Sequence, residues 1–233
     1  MRNSYILEIS VETLDAALAA QRGGAHRIEL CSNLAQGGLT PGTALMRTVR
    51  EQVTLPIFAM IRPRGGDFVY SAAELATMQG DIGTARQLGM DGVVLGILKE
   101  DGHVDIQRTR ELVEHARPLP VTFHRAFDVS ADLRKSLEDV IQTGAARLLT
   151  SGGAANAPDG LAALAELVDP ADDRMIIVPG SGINASNVQR VAQHTRAREF
   201  HSGLSSVARG ADGQWKDFEA EVRSIVEILA TSG

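Results

Sequence analysis

The sequence holds a single cysteine, Cys31, among 233 residues. One thiol closes no internal disulfide, so the chain must hold itself together by its core, and a reducing cytoplasm is the expected location. Basic charge is not in excess: 23 Lys and Arg stand against 29 Asp and Glu, a net charge of −6. That balance argues against nucleic acid as a partner, since binders of it show a basic surface. No apolar run nears the roughly 20 residues of a membrane span. The opening MRNSYILEIS meets Glu8 before a signal-peptide core can form. Low-complexity tracts and charge blocks are absent, and Pro and Gly occur only as short punctuation. One domain over residues 1–233 is therefore expected. There is no HExxH, CxxC or His-x-His for a classical metal site, and no GxSxG for a serine hydrolase. No GxGxxG follows the first strand-like run, so no nucleotide cofactor is evident.

The chain does hold 44% hydrophobic residues, enough for a sizeable core. Short apolar runs alternate with longer amphipathic ones. The strand-like runs are YILEIS, RIELC, PIFAMIR, GVVLGIL, PVTFHR, RLLTS, RMIIVPG and EFHS, with EFHS the weakest. Helical patterns such as VETLDAALAAQRGG, TALMRTVREQV, ADLRKSLEDVIQTG, NASNVQRVAQHT and WKDFEAEVRSIVEIL separate or follow them. About eight strand-then-helix units predict an α/β fold, a (β/α)8 TIM barrel. An open doubly wound sheet is the alternative. GAHRIEL at Gly24, GMDGVVL at Gly89 and GAARLLT at Gly144 form a weak repeat: glycine ends a helix, two residues link, and a strand begins. Thr40-Pro41, and Ser130 with Asp132, read as helix starts.

Side chains alternate along a strand, and in a barrel the set facing the helices must be apolar. This parity turns Leu7, Ile9, Ile28, Leu30, Ile57, Ala59, Ile61, Val121, Phe123 and Phe200 outward. Glu8, Glu29, Cys31, Phe58, Met60, Arg62, Thr122, His124 and His201 then point inward. Glu8, Glu29, Arg62, His124 and His201 are the predicted catalytic set, because barrel active sites lie at the carboxyl ends of strands. Glu29 is tolerable there if Arg62 or a histidine pairs with it. The plainer alternative is a buried ion-pair network that only fixes the core.

Glycine loops and arginines predict an anion site. Arg64 and Asp67 in IRPRGGDF, Arg125 in VTFHR and Ser151 in LTSGG are candidate substrate-binding residues. So are Gly180 and Gly182 in PGSGINASN, where a helix is expected after Asn184 with free amides, and Ser202 in HSGLSS. Leu39, Phe68 and Tyr70 are rim or interface candidates. His103, His115 and His194 are given no role.

ELCSNLAQGGLTP, MIRPRGGDF, VTFHRAFD and LTSGG, in that order, closely resemble the CutC copper homeostasis proteins, and GSGIN resembles a variant of their glycine-rich segment. The resemblance runs from about Glu8 to Ser202. It implies a cytoplasmic barrel, a homo-oligomer (dimer or tetramer), and copper homeostasis; it brings no reaction. Cys31 stands in the ELCS motif, so Cu(I) binding would centre on it, with Met60, His124 or His201 as further ligands. The other reading of Cys31 is a small buried residue. Two functions are therefore expected: Cu(I) handling near Cys31, or an isomerase- or lyase-like enzyme acting on a small anionic or phosphorylated ligand at the barrel mouth. In the second, Glu29 or Glu8 is the base.

Overall fold

A computed structural model describes residues 5–204 and 215–231. Strands and helices alternate through the described chain: β1 (Ile6–Val11), α1 (Leu14–Gly23), β2 (Arg27–Leu30), α2 (Thr43–Gln52), β3 (Ile57–Met60), α3 (Ala72–Gln87), β4 (Gly92–Leu95) and α4 (Ile106–Ala116). The second half continues with β5 (Val121–Phe123), α5 (Leu133–Thr143), β6 (Arg147–Thr150), α6 (Leu161–Ala171), β7 (Ile176–Pro179), α7 (Val188–Thr195), β8 (Glu199–Ser202) and α8 (Lys216–Thr231). All ladders are parallel, and the sheet runs β7-β6-β5-β4-β3-β2-β1-β8. β8 pairs with β1, Glu8 opposite His201, which bends the sheet back on itself. β7 and β8 lie side by side but share no ladder among the described residues. This is the predicted (β/α)8 barrel, with the weak EFHS run as its eighth strand.

The repeat seen in the sequence is a set of helix stops. Gly24, Gly89 and Gly144 adopt φ of 89°, 75° and 83°, where a side chain is strained. Each follows a helix and feeds the next strand after a two-residue link. The helix starts differ in part from expectation. Thr40 does not cap α2; Gly42 stands at that cap, and Thr40 Oγ1 instead accepts from the Arg62 amide at 3.0 Å. Asp132, not Ser130, caps α5 through the Lys135 amide. α7 begins at Val188 rather than directly after Asn184.

Strand parity holds. Leu7, Ile9, Ile28, Leu30, Ile57, Ala59, Ile61, Val121, Phe123 and Phe200 are buried in the main core between sheet and helices. Cys31, Phe58, Met60 and Val94 form a separate small cluster, the apolar part of the barrel interior. Inward charges fill the rest.

Candidate functional site

The floor of the barrel is ionic. Arg27, at the start of β2, pairs with Glu8 and, at 2.7 Å, with Glu199. Arg147, at the start of β6, reaches Glu199 at 3.0 Å. The two guanidinium groups lie 4.8 and 5.3 Å from the centre of the Phe58 ring. A Cβ on Gly92 would come within 2.6 Å of that ring, so glycine makes room for it. Arg27, Arg147 and Glu199 were not singled out from the sequence. Parity carried back to the first residue of RIEL, RLLT and EFHS would have turned all three inward.

Above the floor, Glu8 Oε1 lies 2.7 Å from His201 Nδ1. Burial alone would raise the Glu8 pKa, but Arg27 and His201 overcome it and hold the carboxyl down at about 2. The other face of His201, Nε2, lies 3.9 Å from Glu29 Oε2. Burial pushes Glu29 up to about 7, with the His201 charge opposing and the Glu8 charge assisting the rise. Burial would lower His201; Glu29 and Glu8 raise it on balance. Two carboxylates on adjacent strands are thus driven apart, one kept ionised and one able to hold a proton near neutral pH. Glu29 Oε1 is buried and has no hydrogen-bond partner among the described residues. The expected pairing of Glu29 with a histidine is met by His201. Arg62 does not supply it.

Arg62 instead clasps loop carbonyls, donating to Gln36 at 2.8 Å, Gly38 at 3.3 Å and Gly66 at 2.9 Å. Its guanidinium lies 4.7 Å from the centre of the Phe68 ring, and the His124 ring is 5.0 Å from the same ring. His124 Nδ1 accepts from the Ala126 amide at 3.2 Å. Burial, then the Arg62 charge, hold its pKa down at about 3, so the ring is neutral with its proton on Nε2. Nε2 is buried without a hydrogen-bond partner among the described residues. The ring lies over Gly96, where a Cβ would meet it at 2.5 Å.

Glu29, Arg62, His124 and His201 line one cavity of about 360 Å³ at the carboxyl ends of the strands, with Ser10, Met60, Phe68, Arg125, Asp128 and Leu149 among its other walls. Glu8 stands behind His201. A wider groove of about 1140 Å³ lies outside the barrel beside α4, lined by solvated charges such as Lys99, Glu100 and Arg110. It contains none of this machinery.

The predicted substrate-binding residues divide. Arg125 lines the cavity, held by Asp128 at 2.7 Å and by Ser151 Oγ at 3.0 Å. Ser151 is buried behind it. Asp128 organises this corner, accepting also from Thr150 Oγ1 and the amides of Ser151 and Gly153. It closes the HRAFD motif yet was not singled out. Arg64 and Asp67 do not reach the cavity: they pair with each other at 3.0 Å on the surface, and Arg64 also holds Glu74. The Gly180 amide is spent on the Thr150 carbonyl, and Gly180 and Gly182 are not in the cavity wall. The loop leading into α7 is filled internally. Asn187 Oδ1, Glu221 Oε1 and Asn184 Oδ1 accept from the amides of Asn184, Ala185 and Ser186. Ser202 Oγ is turned to the Ile183 carbonyl. Ser205 and Ser206 of HSGLSS lie outside the described residues. Leu39 bridges Ser32 in a loop pair, Phe68 is in the cavity wall, and Tyr70 is buried.

For a metal, one atom each from Glu8, Glu29 and His201 lie within 4.8 Å of one another. This oxygen and nitrogen set does not fit Cu(I), which prefers sulfur. Cys31 is fully buried, donates to the Val11 carbonyl at 3.5 Å, and packs with Met60.

The profile of the CutC family matches residues 5–206. A mouse protein named copper homeostasis protein cutC homolog is 42% identical over 97% of this chain and 88% of its own length. A family protein CutC from Xanthomonas campestris is 47% identical over 97% of this chain and 99% of its own. A CutC crystal structure from Streptococcus agalactiae superposes with a TM-score of 0.80 at 34% identity, covering 85% of this chain and 98% of that one. The barrel, its inward polar set and these relatives lead to one conclusion: this chain belongs to the CutC family.

Proposed function

We propose that this protein takes part in copper homeostasis, the role for which its mouse relative is named, and that its working part is the cavity at the barrel mouth. The cavity is a proton-transfer site for a small molecule, isomerase- or lyase-like. The observation that carries this reading is the buried, unpartnered Glu29 Oε1 on a carboxyl raised to about 7, the range in which a general base is most effective. Glu29 takes a proton from a carbon beside a carbonyl. The C–H pair becomes the double bond of an enolate, and the negative charge moves to the carbonyl oxygen. His124 Nε2–H, neutral and fixed by its bond to Ala126, stabilises that oxygen. Return of the proton to a neighbouring atom completes an isomerisation. Glu8 keeps His201 oriented, and His201 steadies the Glu29 carboxylate once it has lost its proton. The protein works in the cytoplasm in this reading, and its oligomeric state is open to light scattering.

The test is proton exchange in heavy water, read by NMR on candidate small molecules. Wild type should exchange a carbon-bound hydrogen, and Glu29→Gln should lose that activity by roughly 100-fold or more. Equal exchange by the variant would remove the reading.

A second reading has Cys31 and Met60 binding Cu(I), favoured by their packing side by side inside the barrel. A thiol and a thioether suit Cu(I) better than any oxygen set in the cavity. Competition with a Cu(I) chelator tests it: Cys31→Ala and Met60→Leu should each weaken binding. Unchanged affinity in Cys31→Ala would end the thiol-centred site.

A further inference from the structure

We propose that the ligand of this cavity is a small carboxylate, its charged end held between Arg62 and His124 Nε2–H and its reacting end at Glu29. The inference rests on the proton-transfer reading and narrows it to a substrate class. Buried polar groups in folded proteins nearly always find partners. Here three buried groups that face one cavity each keep an atom unpartnered among the described residues: Glu29 Oε1, His124 Nε2 and Arg62 Nε. The third, Arg62, is a charge without a counter-charge. It is only 4% exposed, and among the described residues no carboxylate pairs with it, its bonds going to the carbonyls of Gln36, Gly38 and Gly66. These neutral partners sit on its two terminal nitrogens, which leaves the charge standing and Nε unbonded among the described residues. A buried cation of that kind is costly unless an anion completes it. Phe68, touching both Arg62 and His124, brings the cation and the neutral donor to one wall.

The cavity's chemistry selects among anions. Arg125, the other guanidinium in the wall, is already neutralised by Asp128 at 2.7 Å. One uncompensated cation beside an acid that itself ionises near neutrality suits a monoanion better than a phosphate dianion. The loop amides ahead of α7, those of Asn184, Ala185 and Ser186, are occupied by Asn187, Glu221 and Asn184. A space of about 360 Å³ holds a molecule of a few carbons with one carboxylate and an adjoining oxo or hydroxyl group.

The test is thermal-shift titration of the full chain with pyruvate, glycolate and L-lactate, against inorganic phosphate and glycerol phosphate. A ligand of the native state raises the melting temperature as its concentration rises. At least one carboxylate should do so, and the phosphates should not. Arg62→Lys keeps the charge and loses the planar fork, so it should weaken the effect by roughly tenfold or more. Arg62 also holds loops and its variants can misfold, so His124 supplies an independent arm. His124→Asn keeps an acceptor for the Ala126 amide and removes the Nε2 donor; it should abolish the shift. His124→Gln, which returns a donor near that place, should restore part of it. A shift by the phosphates alone would overturn the carboxylate assignment and leave the proton-exchange result standing. No shift with any carboxylate, or equal shifts in His124→Asn and wild type, would overturn it as well.

Discussion

Glu29 holds its proton to higher pH in the folded chain, about 7, than its ordinary value of 4.5. The folded state therefore binds more protons between those values, and stability falls as pH rises through that window. A shift of this size corresponds to a loss on the order of 3 kcal/mol. Glu29→Gln removes the titration, so melting curves at successive pH values should show the variant gaining on wild type from pH 4.5 to about 7. His124 behaves in the opposite sense. Its pKa is lowered from 6.5 to about 3, so its neutral form supports folding above 6.5, and that support is lost as pH falls. Wild type should lose stability in acid more steeply than His124→Gln, measured by circular dichroism. At this scale the sequence is legible through parity: Glu8, Glu29, His124 and His201 are where alternation places them. It is silent on which carboxyl keeps its proton near neutral pH, because that depends on Arg27 lying against Glu8. It also misplaces Arg64 and Asp67, since a loop arginine next to an aspartate closes a local ion pair at 3.0 Å before it reaches any ligand.

At the scale of elements, glycine placement divides into two kinds. Gly144 ends α5 at φ 83°, and a Cβ there would meet only Val113 Cγ1 at 3.7 Å, an ordinary contact. Gly144→Ala should thus cost backbone strain alone, about 1 kcal/mol, seen as a drop of a few degrees in melting temperature. Gly92→Ala is expected to cost more, up to about 3 kcal/mol. Its Cβ would strike the Phe58 ring at 2.6 Å, and that ring is fixed between Arg27 and Arg147. The first kind is readable from sequence as helix–glycine–strand; the second is not, because it depends on a side chain of the neighbouring strand. Cap assignments fail for a similar reason. Thr40 looks like an α2 cap until tertiary contact offers it the Arg62 amide.

For the whole molecule, the ionic floor ties β1, β2, β6 and β8 together across the barrel. Arg27→Met would leave Glu8 and Glu199 buried with one cation fewer, at a cost of about 3–5 kcal/mol. Denaturant midpoints should fall accordingly, and the Glu8 carboxyl should titrate at higher pH in NMR. The barrel itself follows from eight alternations of period two and helical period, which is why its architecture is legible along the chain while the partners of its charges are not. One seam stays unlaced: β7 and β8 lie side by side with no ladder between them among the described residues. Amides along that margin have less to break before solvent deuterium reaches them, so isotope uptake should begin there and travel outward last to β3 and β4. The stave that stands at this gap on one side is the one bearing His201, so slow widening of the slit would loosen the imidazole's grip before any other wall gives way.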